Sequence, residues 1–460
     1  MGIRKRTSGV SQRVGDLVDS LPLGAAPMII LLVTVVAGAW LLLNPVPTDN
    51  ATMRLWTFTY IHGDAYKVMV PEFQARHPGT IVDIGLVHGD ATTSRLRAAF
   101  WANLDVPDLV EVEISRAGSF FRGPVEDIGF EDLLPRLKSS GLYDRMVKNR
   151  FAPYTTRGRI FGLPHDVHPV MIAYRRDLFE QLGIDPAKLT TWDEFIREGR
   201  RVTKRGERYM IQLSDSVAGN LETFLFQCDG GFFDADGNVI MDNETAVEVT
   251  QWYIPLVAGP NMIANDPGFS GASFAKAVED GYILSFLCPD WRTRSAEMEL
   301  PQLAGKMALM PLPAFRPGAR RTSTWGGTML GITSASKDKD LAWELAQYLY
   351  TDTDQLGARF RETNILPALK DAWNHPAFKE PRPYWSNQPI GTLYAELADD
   401  VPPQYSGPMV ELAKAKLGGV VAACVTYYKA RGDEGFDAFV RQRLKQAAED
   451  VRQQMTRNPF

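Results

Sequence analysis

MRLWTFTYIHGDAYKVMVPEFQARHPGTIVDIGLVHGDATTSRLRAAFWANLDVPDLVEVEI, residues 53–114, passes through five segments of alternating character. Met53 to Phe58 reads as a strand and Ala65 to Arg76 as a helix with Tyr66, Val70 and Phe73 on one face. Thr80 to Val87 reads as a second strand, Ser94 to Asn103 as a second helix, and Pro107 to Ile114 as a third strand. Pro71 is expected to kink or delay the first helix, because proline removes a backbone donor and crowds the preceding turn. His77-Pro78-Gly79 then ends it. Strands alternating with helices in this order open a doubly wound α/β fold.

The same alternation continues toward the C-terminus. Thr191-Trp192-Asp193-Glu194 is a capping box, opening a helix with Trp192, Phe195, Ile196 and Val202 inward. Asp338 to Tyr350 predicts a helix, since Leu341, Leu345, Tyr348 and Leu349 recur at helical spacing. Gly435 to Met455 predicts a last helix that buries Phe436, Phe439, Val440, Leu444 and Val451. No internal repeat is present, and 460 residues at 45% hydrophobic and 23% charged predict two or three lobes rather than a disordered polymer.

Toward the N-terminus, Ala25 to Leu43 contains no charge, and Arg4, Lys5, Arg6 and Arg13 precede it. A run of that length nearly spans a hydrocarbon core of about 30 Å. The basic side stays in the cytoplasm, so everything after Asn44 is exported. Trp40-Leu41-Leu42-Leu43 continues the apolar run beyond the small residues Val36-Ala37-Gly38-Ala39, which favours a retained anchor over a cleaved signal peptide. Asn44-Pro45-Val46-Pro47-Thr48-Asp49-Asn50 is a stiff linker. No second membrane-length run follows, which excludes a channel. The net charge of −5 becomes −7 once residues 1–24 are set aside, and a mildly acidic body argues against nucleic-acid binding. Cys228, Cys288 and Cys424 lie far apart without CxxC spacing, which excludes a zinc or disulfide scaffold while leaving one bridge or three buried thiols.

Few segments carry chemistry. Asp234-Ala235-Asp236-Gly237-Asn238 lacks the spacing of a calcium loop and reads as a turn between apolar flanks. His165 and His168 stand three apart between prolines that forbid the helix a zinc protease requires, so the segment is expected to be a rigid polar stretch facing a cleft, with no metal. Glu111 and Glu113 share one face of their strand and the valines share the other. Late in a parallel strand, that face opens on the crevice where α/β sheets bind ligands. Aromatics at Gly- or Pro-marked breaks, namely Trp56, Trp291, Trp325 and Tyr384-Trp385, suit stacking on sugar rings.

Together these segments resemble the extracellular solute-binding proteins of ABC importers, the group that includes maltose-binding protein. The resemblance rests on Leu55-Trp56-Thr57-Phe58, His77-Pro78, Pro107-Asp108-Leu109-Val110, Gly162-Leu163-Pro164, Ala173-Tyr174-Arg175-Arg176-Asp177-Leu178-Phe179 and Thr191-Trp192-Asp193-Glu194. It continues through Gly230-Gly231, Trp291, Trp325-Gly326-Gly327, Ala342-Trp343-Glu344 and Leu366-Pro367. It implies two doubly wound lobes with hinge crossings, the type II periplasmic binding protein-like arrangement. Residues 52–166 and 325–366 would form lobe one and residues 167–324 and 367–460 lobe two, after a cytoplasmic segment 1–24, an anchor 25–43 and a linker 44–51.

The implied function is capture of a carbohydrate in the interlobe cleft by hinge closure, without catalysis or cofactor, and delivery to permease subunits at the outer face of the cytoplasmic membrane. Trp56, Tyr60, His62, Glu111 and Glu113 of lobe one are expected to meet Asp290, Trp291 and Arg292 of lobe two. Asp166 and His168 would lie beside one crossing, and Trp325, Gly326 and Gly327 along the other. The alternatives are an exported carbohydrate-active enzyme using Glu111, Glu113, Asp166 or Asp290, a sensor subunit, and a binder of a non-sugar solute.

Overall fold

A computed structural model describes residues 25–43 and 50–457. The chain divides into two units, residues 1–51 and residues 52–460. In the first, a 19-residue helix covers Ala25–Leu43. Ile29, Ile30, Leu31, Leu32, Val35, Val36 and Trp40 stand exposed on it. Its side chains are described over 27–40 only, and among the described residues no helix is long and apolar enough to cross a membrane. The fold therefore does not establish the expected anchor. The expected cytoplasmic segment and most of the linker lie outside the described residues.

The second unit is built on strands β1 (Met53–Thr57), β2 (Val82–Leu86), β3 (Leu109–Glu113), β4 (Leu163–Pro164), β5 (Val170–Arg175), β6 (Ile211–Gln212), β7 (Ala264–Asn265), β8 (Ser285–Pro289), β9 (Met307–Pro311) and β10 (Thr328–Ile332). They form two five-stranded sheets. The first runs β2-β1-β3-β10-β4 and the second β9-β5-β8-β6-β7. In the first sheet β1 pairs in parallel with β2 and β3, joined by helices Tyr60–Arg76 and Gly89–Ala102, while β10 returns antiparallel to β3. The chain thus leaves the first sheet after β4 and comes back only at β10, which sets the crossings between sheets.

Each of the expected early elements exists, with shifted ends. The first helix starts at Tyr60 rather than Ala65, because the Thr59 hydroxyl caps it by accepting the Ile61 N–H. It also runs through Pro71, which stands on the exposed face. The Thr191 capping box is complete: Thr191 N–H donates to Glu194 at 2.9 Å and Glu194 N–H donates back to the Thr191 hydroxyl at 3.4 Å. Helices Lys339–Thr351 and Phe436–Arg457 lie within two residues of their expected limits. Asp234 accepts from the backbone of Asp236 and Asn238 in a tight turn closed by a Phe233–Val239 bridge. All three cysteines are free thiols.

Strand β5 shows how the core is divided. Its six residues are all buried, as in a strand covered on both faces. Met171 and Ala173 join the cluster that includes the first sheet, while Val170, Ile172 and Tyr174 join a second cluster. That second cluster packs helices Trp192–Val202, Glu244–Val257, Val410–Arg431 and Phe436–Arg457 against the outer face of the second sheet. Crossings at 165–169, 323–328 and 365–367 run side by side, tied by Asp166–Pro367 and Pro169–Thr324 bridges.

Candidate functional site

The crossings form one edge of a cavity of about 300 Å³, at the lower end of the usual small-molecule range of about 300–1,000 Å³. The first sheet contributes Glu113 at the end of β3 and Ile114 and Ser115 just past it, with His62 from the start of helix Tyr60–Arg76. Opposite them stand Glu222, Thr223 and Phe226 on helix Gly219–Gln227, Trp291 and Ser295 on helix Asp290–Glu299, and Lys414 on helix Val410–Arg431. His168 and the run Thr324–Thr328 close the hinge side.

An aromatic corner and a charged wall divide this lining. Trp291 and Trp325 meet edge to face at 5.9 Å, and the Trp291 indole N–H donates to the Trp325 carbonyl at 2.9 Å. Both rings are half-buried, which leaves surface for a guest. Gly326 lies beneath them at φ +92°, where a Cβ would come within 3.1 Å of the Trp291 indole nitrogen. On the charged wall, the Lys414 ammonium is 3.2 Å from Glu222. Burial raises the Glu113 carboxyl against the lowering effect of its hydrogen bonds from Ser115. The Glu222 charge in turn raises Lys414, with a smaller contribution from Glu113. Such a wall offers ionic and hydrogen-bonding groups of both signs to hydroxyls.

Behind the cavity, the crossings are held by a buried chain of charges. The Arg150 guanidinium donates to the Thr324 hydroxyl at 2.7 Å, to the carbonyls of Gly326 and Asp166, and to the Asp166 carboxylate. Asp166 also lies 3.0 Å from His165 Nδ1 and 3.1 Å from His168 Nε2. His168 Nδ1 then bonds Asp290, whose other oxygen accepts the Leu366 N–H at 2.7 Å. Burial alone would lower the His168 pKa, but Asp166 and Asp290 together raise it to about 9. Burial would likewise raise Asp166, and the two histidines hold it well below the usual carboxylate range.

Seven of the thirteen expected residues reach the cavity: His62, Glu113, His168, Trp291, Trp325, Gly326 and Gly327. Six stand off it, each for a local reason. Asp166 and Asp290 are spent inside the hinge chain. Glu111 is fully buried and accepts from the hydroxyls of Thr57, Tyr66 and Tyr350 and from His62 Nδ1 at 2.9 Å. Burial works to raise that carboxyl, yet His62, His165 and Thr57 bring it down to about 2. Arg292 turns into the core beside β8, donating to the carbonyls of Leu287 and Phe269 with its guanidinium 4.6 Å from the Phe286 ring centroid. Trp56 packs with the cluster of Val110 and Val112. Tyr60 faces a different groove, beside Asp64, Arg294 and Met298.

Residues that sequence reasoning missed include Glu222, Thr223, Phe226, Gln404 and Lys414. Glu222 carried a signal, as a lone carboxylate inside the apolar run Leu221-Glu222-Thr223-Phe224-Leu225-Phe226. Lys414 carried none, since it sits in an ordinary amphipathic stretch about 190 residues downstream of its partner. Among the described residues, one group of His, Cys, Asp and Glu side chains is close enough to share an ion, and it joins His165 to His62 and Glu111 rather than to His168.

The chain is 25% identical over 390 residues to the arabinooligosaccharide-binding protein of Bacillus subtilis (strain 168), covering 82% of this chain and 88% of that protein. It is 24% identical over 226 residues to the galactooligosaccharide-binding protein of the same strain, covering 48% and 52%. The sugar-binding protein MalE from Xanthomonas citri shares the fold at a TM-score of 0.73, with 19% identity over 87% of this chain and 98% of that structure. The mixed α/β architecture is thus the periplasmic-binding-protein-like one. Residues 61–356, more than half of the sequence, match the family described as bacterial extracellular solute-binding protein, and the chain belongs to that family.

Proposed function

We propose that this protein captures a carbohydrate, with an oligosaccharide preferred, in the cavity between its two sheets and releases it to an ABC importer permease. The observation that carries the reading is the pairing of the Trp291–Trp325 corner with the Glu113, Glu222 and Lys414 wall across one cavity at the crossings. Aromatic faces suit the C–H faces of sugar rings, and charged groups suit their hydroxyls. The names of the relatives, binders of arabino- and galactooligosaccharides, support the same class of guest. The family binds solutes and does not transform them, and this chain is not an enzyme. Three of the carboxylates that a glycosidase reading would use, Glu111, Asp166 and Asp290, are engaged in internal hydrogen bonds and do not line the cavity.

Capture by differential binding follows from the layout. A guest that touches both walls only when they approach favours the closed arrangement by its differential affinity. Lobe one would comprise residues 52–166 and 325–366, and lobe two residues 167–324 and 367–460. Helix Ala25–Leu43 is proposed as a retained anchor, on the basis of its uncharged sequence, its exposed apolar side chains and the basic residues before it. Anchoring would raise the effective concentration of the binding body near its permease. Retention with membranes after an alkaline wash, lost on deletion of residues 1–43, is the expected outcome. Release of the full chain by that wash would remove the anchor from the proposal.

Thermal shift over a sugar panel that includes arabino- and galactooligosaccharides tests the central reading. A cognate guest at about 100 times its Kd adds about 2.7 kcal/mol to stability. A flat response to every carbohydrate would overturn it.

A further inference from the structure

We infer that His62, Glu111 and His165 form a site for a divalent first-row transition ion of the zinc class, set in the wall of the cavity. The three come from separate stretches: the start of helix Tyr60–Arg76, strand β3 and the crossing after β4. All are buried, and one ligating atom from each lies within 4.8 Å of the others. His62 and His165 pack ring on ring at 4.1 Å, and the arrangement leaves one ring nitrogen without a partner.

That nitrogen is His165 Nε2, buried with no hydrogen bond. The other ring nitrogen, Nδ1, is 3.0 Å from Asp166. Asp166 already receives Arg150, His168 and the Thr328 N–H, so it acts as an acceptor and the His165 proton belongs on Nδ1. Nε2 then keeps a buried lone pair without a partner, at a cost of about 1–3 kcal/mol if nothing meets it. A carboxylate on the far nitrogen is the arrangement that orients an imidazole toward a metal. Glu111 completes the donor set: Tyr66 and Tyr350 hydroxyls hold its Oε1, while Oε2 faces His62 at 2.9 Å and the Thr57 hydroxyl.

The donor types select the ion. Two imidazoles and one carboxylate suit zinc, copper or nickel, whereas calcium and magnesium take oxygen ligands. Zinc bonds of about 2.0–2.2 Å place neighbouring donors roughly 3.4 Å apart, so binding replaces the 2.9 Å contact between His62 and Glu111 with bonds to the ion. His62 can supply the movement this requires, since it lines the cavity and is not enclosed on every side.

The test uses the full chain in detergent, stripped with a chelator and titrated with zinc chloride, with no sugar present. Binding of one zinc per chain is expected. Cobalt should give the visible bands of four-coordinate geometry, and crystals should show one anomalous zinc peak among the three side chains. His165→Phe keeps the ring shape and removes the nitrogen; it should weaken zinc binding by about 100-fold, while His88→Ala at the surface leaves it unchanged. If His165→Phe fails to fold by circular dichroism, the cobalt spectrum and the anomalous peak of the wild-type chain decide the matter. Absence of one-to-one binding for zinc, copper and nickel, an anomalous peak elsewhere, or a folded His165→Phe that binds as the wild type does would each overturn the site.

Discussion

Arg150 is the side chain on which the crossings depend most. It is almost fully buried and bonds both the Asp166 and the Thr324–Gly326 crossings. Replacing one member of a buried ion pair leaves the other uncompensated, at about 3–5 kcal/mol. Arg150→Met should therefore lower the unfolding free energy measured by urea denaturation by an amount of that order, and a loss below about 1 kcal/mol would show that solvent reaches Asp166. Gly327 is constrained by the same guanidinium: at φ +150° its Cβ would stand 2.1 Å from Arg150 Nη2. At the aromatic corner, Trp291→Ala should raise the Kd for a cognate sugar at least about tenfold, or about 1.4 kcal/mol, by calorimetry. Equal affinity would mean that the ring only packs on Trp325. The roles of these residues were unequally legible. Trp291 and Trp325 were readable because aromatics at chain breaks are conspicuous, while Arg150 was not, because nothing local in Asn149-Arg150-Phe151 distinguishes a buried arginine from an exposed one.

At the scale of elements, helix ends follow capping chemistry and helix interiors follow propensity. Thr191→Ala removes a completed capping box and should cost about 1 kcal/mol in urea denaturation. Gly419 lies inside helix Val410–Arg431, where an added Cβ meets nothing within 4 Å. Gly419→Ala should stabilise by about 0.5–1 kcal/mol, and a destabilised variant would mean that the helix packs more tightly there than its surroundings indicate. Strand β3 was legible in its alternation, with Val110 and Val112 in one cluster and Glu111 on the opposite side. That Glu111 is enclosed while Glu113 reaches the cavity depends on Tyr350, some 239 residues away, closing over the former.

For the whole molecule, the crossings are where buried charge is concentrated. His168 bridges Asp166 and Asp290, with Arg150 on the far side of Asp166. Its folded pKa of about 9 lies above the ordinary value of 6.5. The folded state thus binds the extra proton more tightly, so this contribution to stability is complete below about pH 6.5 and is lost as pH rises through about 9. Urea unfolding at pH 6, 8 and 10 should show a decline confined to the upper range, and His168→Gln should flatten it. Closure itself is open to scattering: a cognate sugar should reduce the radius of gyration, and an unchanged radius would argue for a preclosed cavity.

The sequence by itself determined the alternation of strands and helices, the capped helix starts, the turn at Asp234, and, of the aromatic breaks, the two at Trp291 and Trp325 that frame the cavity, while Trp56, Tyr384 and Trp385 pack against the core. Those features arise from interactions within a few residues, where periodicity and backbone chemistry leave a visible pattern. Tertiary structure alone decided which carboxylates are enclosed, that Lys414 meets Glu222, and that His165 stands with His62 and Glu111 rather than with His168. Those outcomes come from pairings across tens to hundreds of residues. They depend on which side chains the crossings bring together, and a linear pattern does not record that.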